Sequence, residues 1–181
     1  MAEVDGDSAF SFDVARFKDA MGRFATGVTI VAGVDGDEPV GFTCQSFVSL
    51  SLDPPYVAVA PARTSTSWPR IARSGSFCVN VLHEDQEELC RGFAVSGGPK
   101  FRGVEWHPAP GTGSPVIEGS LAWVDCRVEL VHDAGDHELI IGKVLDLGTN
   151  DGSPLLFYRS GFATLSRHSG DGEHSRSVER A

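Results

Sequence analysis

Apolar positions along this chain recur at two different periods, and most of them follow the shorter one. Near the start Val14, Phe17, Met21 and Phe24 fall at helical spacing behind Ser11 and Asp13, with Gly27 as a stop, which predicts one amphipathic helix. The run Val28 to Val34 then predicts a strand. A DGDEP turn and the stretch PVGFTCQSFVSLS predict a second strand that passes into a polar loop, and DPPYVAVAP predicts a third after a Pro-Pro break. TSTSWPRIARSG reads as a short helix with hydroxyl caps ahead of Pro69, SFCVNVL as a fourth strand, and HEDQEELCRGFA as a short helix with acids early and Arg91 late. From Val95 to Pro115 no period is visible, so a long surface loop is expected, ordered by Lys100, Phe101 and Trp106.

Beyond it, LAWVDCRVELVHDAGDHELIIGKVLDLG predicts two long strands around a turn at Asp133 to Asp136, with Ala122, Val124, Cys126, Val128 and Leu130 on one face. PLLFYRSGFATL predicts a closing strand pair, or a strand and turn. The acidic residues 1–10 and the polar tail 168–181 are expected to be flexible, leaving residues 11–167 as a single domain without repeats. Many antiparallel strands with a few short peripheral helices make a mainly β fold, a barrel with added helices.

Charge narrows the function classes. Fifteen basic against 25 acidic residues give a net charge of −10, which opposes binding to nucleic acid or to an anionic membrane. The apolar runs are too short to cross a bilayer, and the start lacks the basic and apolar regions of a secretory signal, so the cytoplasm is the expected compartment. Cys44, Cys78, Cys90 and Cys126 include no C-x-x-C pair, most of them are expected to be buried small hydrophobes, and nothing in the sequence requires a disulfide. The chain has no G-x-G-x-x-G string, P-loop or G-x-S-x-G elbow, and its six histidines stand apart from one another. No metal site is expected, and a nicotinamide cofactor would have to bind by stacking on a second ring.

Two places can carry chemistry. Gly41 to Pro61 sets Thr43, Gln45, Ser46, Ser49 and Ser51 between apolar runs, a composition suited to the heteroatom edge of a flat ring and equally to a strand with one wet face. His137 follows Asp133-Ala134-Gly135-Asp136 and precedes Glu138, so it is either a ligand-facing imidazole at a hairpin mouth, oriented by flanking acids, or a solvated turn residue.

The ordered set TGVTIVAG, GFTCQSFVSLSLDPPYVAV, TSTSWPRIARSGSFCVNVL, KFRGVEW, GSLAWVDCRVE, GDHELIIGKV and PLLFYRSGF, spanning about Phe17 to Leu165, resembles the flavin reductase family. The resemblance implies an FMN-binding split β-barrel, Greek-key-like and antiparallel, usually a homodimer. Such a protein would pass a hydride from NADH, less often NADPH, to FAD or FMN, and reduced flavin would then serve a partner monooxygenase. It also implies roles for residues. Thr43, Cys44, Gln45 and Ser46 would contact the isoalloxazine ring, and Pro61, Ala62, Arg63 and Thr64 would hold the ribityl and phosphate side with help from Ser67 or Lys100. His137 would lie by the nicotinamide, and Phe157, Tyr158, Arg159 and Ser160 along the nicotinamide nucleotide. Gln45 stands where many relatives carry Asn, and Phe162 where Tyr is frequent. FAD with NADH is the first expectation. Two other readings are a split-barrel flavoprotein with tightly held FMN acting on another substrate, and a flavin-binding barrel without catalysis.

Overall fold

The computed structural model describes residues 13–166, so the expectations for residues 1–10 and 168–181, and for Ser11 as a helix cap, lie outside the described residues. In chain order the elements are α1 (Val14–Gly22), β1 (Thr26–Gly27), β2 (Thr29–Asp35), β3 (Glu38–Cys44), β4 (Val48–Leu52), β5 (Pro55–Val59), α2 (Trp68–Ser74) and β6 (Ser76–Val81). A 3-10 turn (Glu84–Gln86) leads into α3 (Glu87–Ala94), followed by β7 (Trp106–Pro108), β8 (Pro115–Ile117), β9 (Ala122–Ala134), β10 (His137–Thr149), β11 (Leu156–Tyr158) and β12 (Gly161–Ala163).

Seven strands form one antiparallel sheet in the order β3-β2-β6-β9-β10-β5-β4. Its two outermost strands, β3 and β4, are consecutive in the chain, and only residues 45–47 separate them. Four residue steps of extended chain reach at most about 14 Å, so the sheet must curl until its edges meet. No ladder joins β3 to β4 among the described residues, so the barrel closes with a split at this loop.

The apolar run of β2 is explained by burial on both faces. Val31 points into the barrel with Val40, Val57, Val59, Trp68, Ile71, Phe77, Val79, Cys126 and Ile140. Its neighbours Ile30 and Ala32 point outward into a second core with Val28, Leu82, Cys90, Phe93, Ile117 and Leu155. α2 ends at Gly75, whose φ of 70° suits a residue without a side chain, and Ile71 of this helix fills the space that Gly33 leaves open. Gly41 has a similar role. A Cβ there would lie 2.9 Å from the Phe93 ring, so this glycine admits α3 against β3, and its backbone also borders a cavity shared with Lys100.

Residues 95–115 are less irregular than their sequence suggested. β7 pairs with β8, and the buried Asp125 carboxylate ties down the connection by accepting from the Gly111 N–H at 2.8 Å, the Thr112 N–H at 3.0 Å and the Thr112 hydroxyl. On β9 the expected facing row holds through Val128 and fails at Leu130, which is 52% exposed. Leu130 pairs with Ile141 and Val128 with Gly142, so Glu129 is the extra residue of a bulge, and the alternation slips there. All four cysteines are free and buried, and burial pushes the Cys126 thiol up to about 12.

Candidate active site

The candidate residues are gathered mainly along the split. Thr29 donates to the Cys44 carbonyl at 2.8 Å, and Thr43 donates to the Cys90 carbonyl at 2.7 Å, which fixes the end of β3 against α3. Ser46 sits 3.1 Å from the Cys44 sulfur, and its hydroxyl accepts from the Ala60 N–H at 2.8 Å and donates to the Ala60 carbonyl at 3.3 Å. The hydroxyls of Thr43 and Ser46 therefore hold the rim in shape, and Gln45 between them is exposed. Ser49 and Ser51 lie on β4 beyond the rim.

Just past β5, residues 61–67 run beside the tip of the β9–β10 hairpin. Glu138 N–H donates to the Pro61 carbonyl at 3.0 Å, Arg63 N–H donates to the Asp136 carbonyl at 2.9 Å, and Ala62 bridges His137. Arg63 Nε donates to the Gly135 carbonyl at 3.0 Å, while its two terminal nitrogens meet Asp133 and, at 3.5 Å, Glu138. Thr64 is exposed, and Ser65 accepts from the Trp68 N–H at 3.1 Å, capping α2 as the hydroxyl-rich sequence suggested.

His137 projects from this tip with Nδ1 2.7 Å from Asp136. That contact holds the Asp136 carboxyl below its ordinary value. In the neutral ring, a proton on Nδ1 shared with Asp136 leaves Nε2 as an acceptor. Of the two flanking acids, Asp136 orients the imidazole, whereas Glu138 turns to Arg63 and to Trp68 Nε1, which donates to it at 3.0 Å. Trp68 and Asp133 had no signal of their own in the sequence, where Glu138 reads as a partner of His137 and not of Arg63.

On the other side of α2 lies a cavity of about 160 Å³, lined among others by Thr66, Ser67, Arg70, Gly97, Gly98 and Lys100. Lys100 Nζ donates to the Phe93 carbonyl at 2.9 Å, the Gly41 carbonyl at 3.2 Å and the Ser67 hydroxyl at 3.4 Å. These partners are neutral, and burial lowers the Lys100 pKa. Arg70 differs, since Asp35 at 2.8 Å and Glu38 at 2.7 Å already neutralise it.

Phe157, Tyr158, Arg159 and Ser160 are gathered elsewhere. Phe157 packs edge to face on Phe162 at 5.2 Å, next to the outer core, and the Arg91 guanidinium lies 4.7 Å above the Phe162 ring. Arg159 and Ser160 turn the chain with φ of 48° and 64°, left-handed values unusual for residues with side chains. The Arg159 N–H donates to the Gly22 carbonyl at 2.9 Å, and its guanidinium lies 3.9 Å from Asp19, so the turn is tied to α1. No hydrogen bond or ion pair recorded among the described residues links this turn to Ser46, Arg63, His137 or Lys100.

The chain is similar in sequence and fold to known proteins. Over 169 residues the chain is 48% identical to the reductase subunit HsaB of a flavin-dependent monooxygenase from Rhodococcus jostii, covering 91% of this chain and 86% of that one. Its fold matches the crystal structure of a nitrilotriacetate monooxygenase component B homologue from Mycobacterium thermoresistibile with a TM-score of 0.83 and 44% identity, over 91% and 93% of the two chains. It also matches the NADH:FAD oxidoreductase SgcE6 of Streptomyces globisporus, solved with NAD and FAD fragments, with a TM-score of 0.80 and 31% identity, over 89% and 96%. Residues 21–166 match the family described as flavin reductase like domain, and the chain belongs to that family.

Proposed function

We propose that this protein is the reductase component of a two-component flavin-dependent monooxygenase, using NADH to reduce FAD or FMN that it binds and releases as a substrate. The observation that carries this reading is the convergence of the Ser46 rim, residues 61–67 and His137 at the barrel split, with Ser67 at the end of that stretch meeting Lys100, an amine whose partners are all neutral. That donor set fits a phosphate-bearing flavin. Lys100 would meet the phosphate, with Thr64 and Ser67 along the ribityl side, since an anion bound to a chain of net charge −10 needs a local cation. Residues 43–46 would border the ring, and the fixed rim would spare the enzyme the cost of ordering it.

The flavin supplies the hydride-accepting chemistry, and the protein supplies orientation, exclusion of water and hydrogen bonds to developing charge. His137, held by Asp136, would position the nicotinamide through Nε2. Phe157, Tyr158, Arg159 and Ser160 would border the nicotinamide nucleotide.

A homodimer is part of the proposal. Val48, Leu50 and Leu52 of β4, beside the split, are exposed, Val14 and Met21 of α1 are exposed as well, and a second copy would cover apolar surface of this kind. The described residues contain no helix long and apolar enough to cross a membrane. Four free cysteines accord with a reducing compartment, and we place the enzyme in the cytoplasm.

The test is NADH oxidation by the purified protein with and without added FAD or FMN. Oxidation that requires flavin and saturates with it supports the reading. Flavin that survives purification without turnover of free flavin points to the tightly bound flavoprotein, and folded protein that binds flavin but consumes neither NADH nor NADPH leaves a binding barrel.

A further inference from the structure

We propose that Arg63 is a positioning residue for His137: with Glu138 it clamps the tip of the β9–β10 hairpin to the barrel, and it does not hold the flavin phosphate. The continuous pairing of β10 with β5 ends at Ile140, so His137, Glu138 and Leu139 form a ribbon with β9 that the barrel holds only through the Ala62–His137 bridge and the main-chain bonds of Arg63 and Glu138. Such a ribbon is marginally stable on its own, and a side chain at its tip needs tethers to keep one position.

Arg63 and its neighbours provide them. The main-chain bonds from Arg63 and Glu138 fasten the tip on either side of His137. The guanidinium then spans the turn, reaching Gly135, Asp133 and Glu138. Glu138 shares its second oxygen with Trp68, which is 3% exposed and wedged edge to face between Phe42 at 6.5 Å and Phe77 at 6.1 Å. The imidazole is thus referred to the barrel core through Glu138 and Arg63. A guanidinium already facing two carboxylates has little net charge to offer a phosphate, whereas Lys100 faces neutral oxygens alone.

The kinetic arm of the test rests on the functional reading above, and the exchange arm does not. In Arg63→Met, kcat for NADH oxidation at saturating flavin is expected to fall at least about tenfold while the flavin Kd, read by fluorescence quenching, changes less than about twofold. Arg63→Met placed on His137→Ala should add little further loss, because the two act as one unit. Arg63→Lys, which lacks the planar fork, should restore little, and Glu138→Gln, which keeps an acceptor for Trp68, should retain more activity than Glu138→Ala. Hydrogen exchange at the amides of Arg63 and Glu138 should quicken in Arg63→Met whether or not the protein turns over NADH. A flavin Kd weakened tenfold with kcat preserved at saturation would overturn the proposal in favour of phosphate binding, and unchanged exchange would overturn the clamp itself. If Arg63→Met does not fold, Arg63→Lys and Glu138→Gln carry the same comparisons.

Discussion

At the scale of single residues, two cationic or imidazole side chains have separable tasks. His137 is held by Asp136 at a rim and contributes no packing to the inner core, so His137→Ala is expected to lower kcat by about 10- to 100-fold and leave the flavin Kd and the melting temperature nearly unchanged. Stopped-flow NADH oxidation beside a thermal melt checks both. Lys100 acts through charge. Lys100→Met should weaken FMN by about tenfold or more and leave riboflavin, which lacks the phosphate, almost unaffected, as titration of both ligands would show. Burial favours the neutral amine, so the Lys100 pKa lies below 10.5 and its charge is lost earlier than that of an exposed lysine as pH rises. FMN affinity should therefore fall on the alkaline side of that lowered pKa while riboflavin affinity stays level, a difference that titrations across alkaline pH would reveal.

At the scale of elements, the strand glycines are packing devices whose worth depends on the neighbour. A Cβ on Gly142 would come within 2.5 Å of Phe77, a fully buried ring with nowhere to go. Gly142→Ala is expected to destabilise the protein by about 1–3 kcal/mol in a urea melt. Gly148 meets Trp123 at 2.5 Å, but that ring is only partly buried and can yield, so Gly148→Ala should cost less. The contrast fits a barrel whose interior is rigid around Phe77 and whose partly buried outer face at Trp123 can adjust. The same logic gives the hairpin tip its need for Arg63, because the core that immobilises Gly142 does not reach His137.

At the scale of the whole molecule, the apolar side chains along α1 and β4 call for a second surface. Leu52 is 91% exposed and makes no part of either main core, so Leu52→Asp should leave the monomer fold intact while shifting the elution volume or light-scattering mass from dimer toward monomer. A dimeric mass that is unchanged would take β4 out of the interface. Loss of activity on dilution of Leu52→Asp would further indicate a site completed by the partner.

Local periodicity determined much of this protein. The apolar runs of β2, β5, β6, β9 and β10, the Asp13 cap of α1 and the turn before His137 follow from short-range sterics and burial, whereas α1 stops at Gly22 and not at Gly27; the ordered motifs carried the family. Only tertiary structure decided the rest. Leu130 was misjudged because it answers to a bulge that no local pattern announces, and the packing of Gly41 on Phe93, 52 residues away in the chain, had no local signal either. Arg63 reads in sequence as a free cation, since the acids that engage it lie some 70 residues on and meet it only when the barrel closes. Contacts of such separation are set by how the sheet curls on itself, and the period of a strand records which side faces inward without recording what waits there.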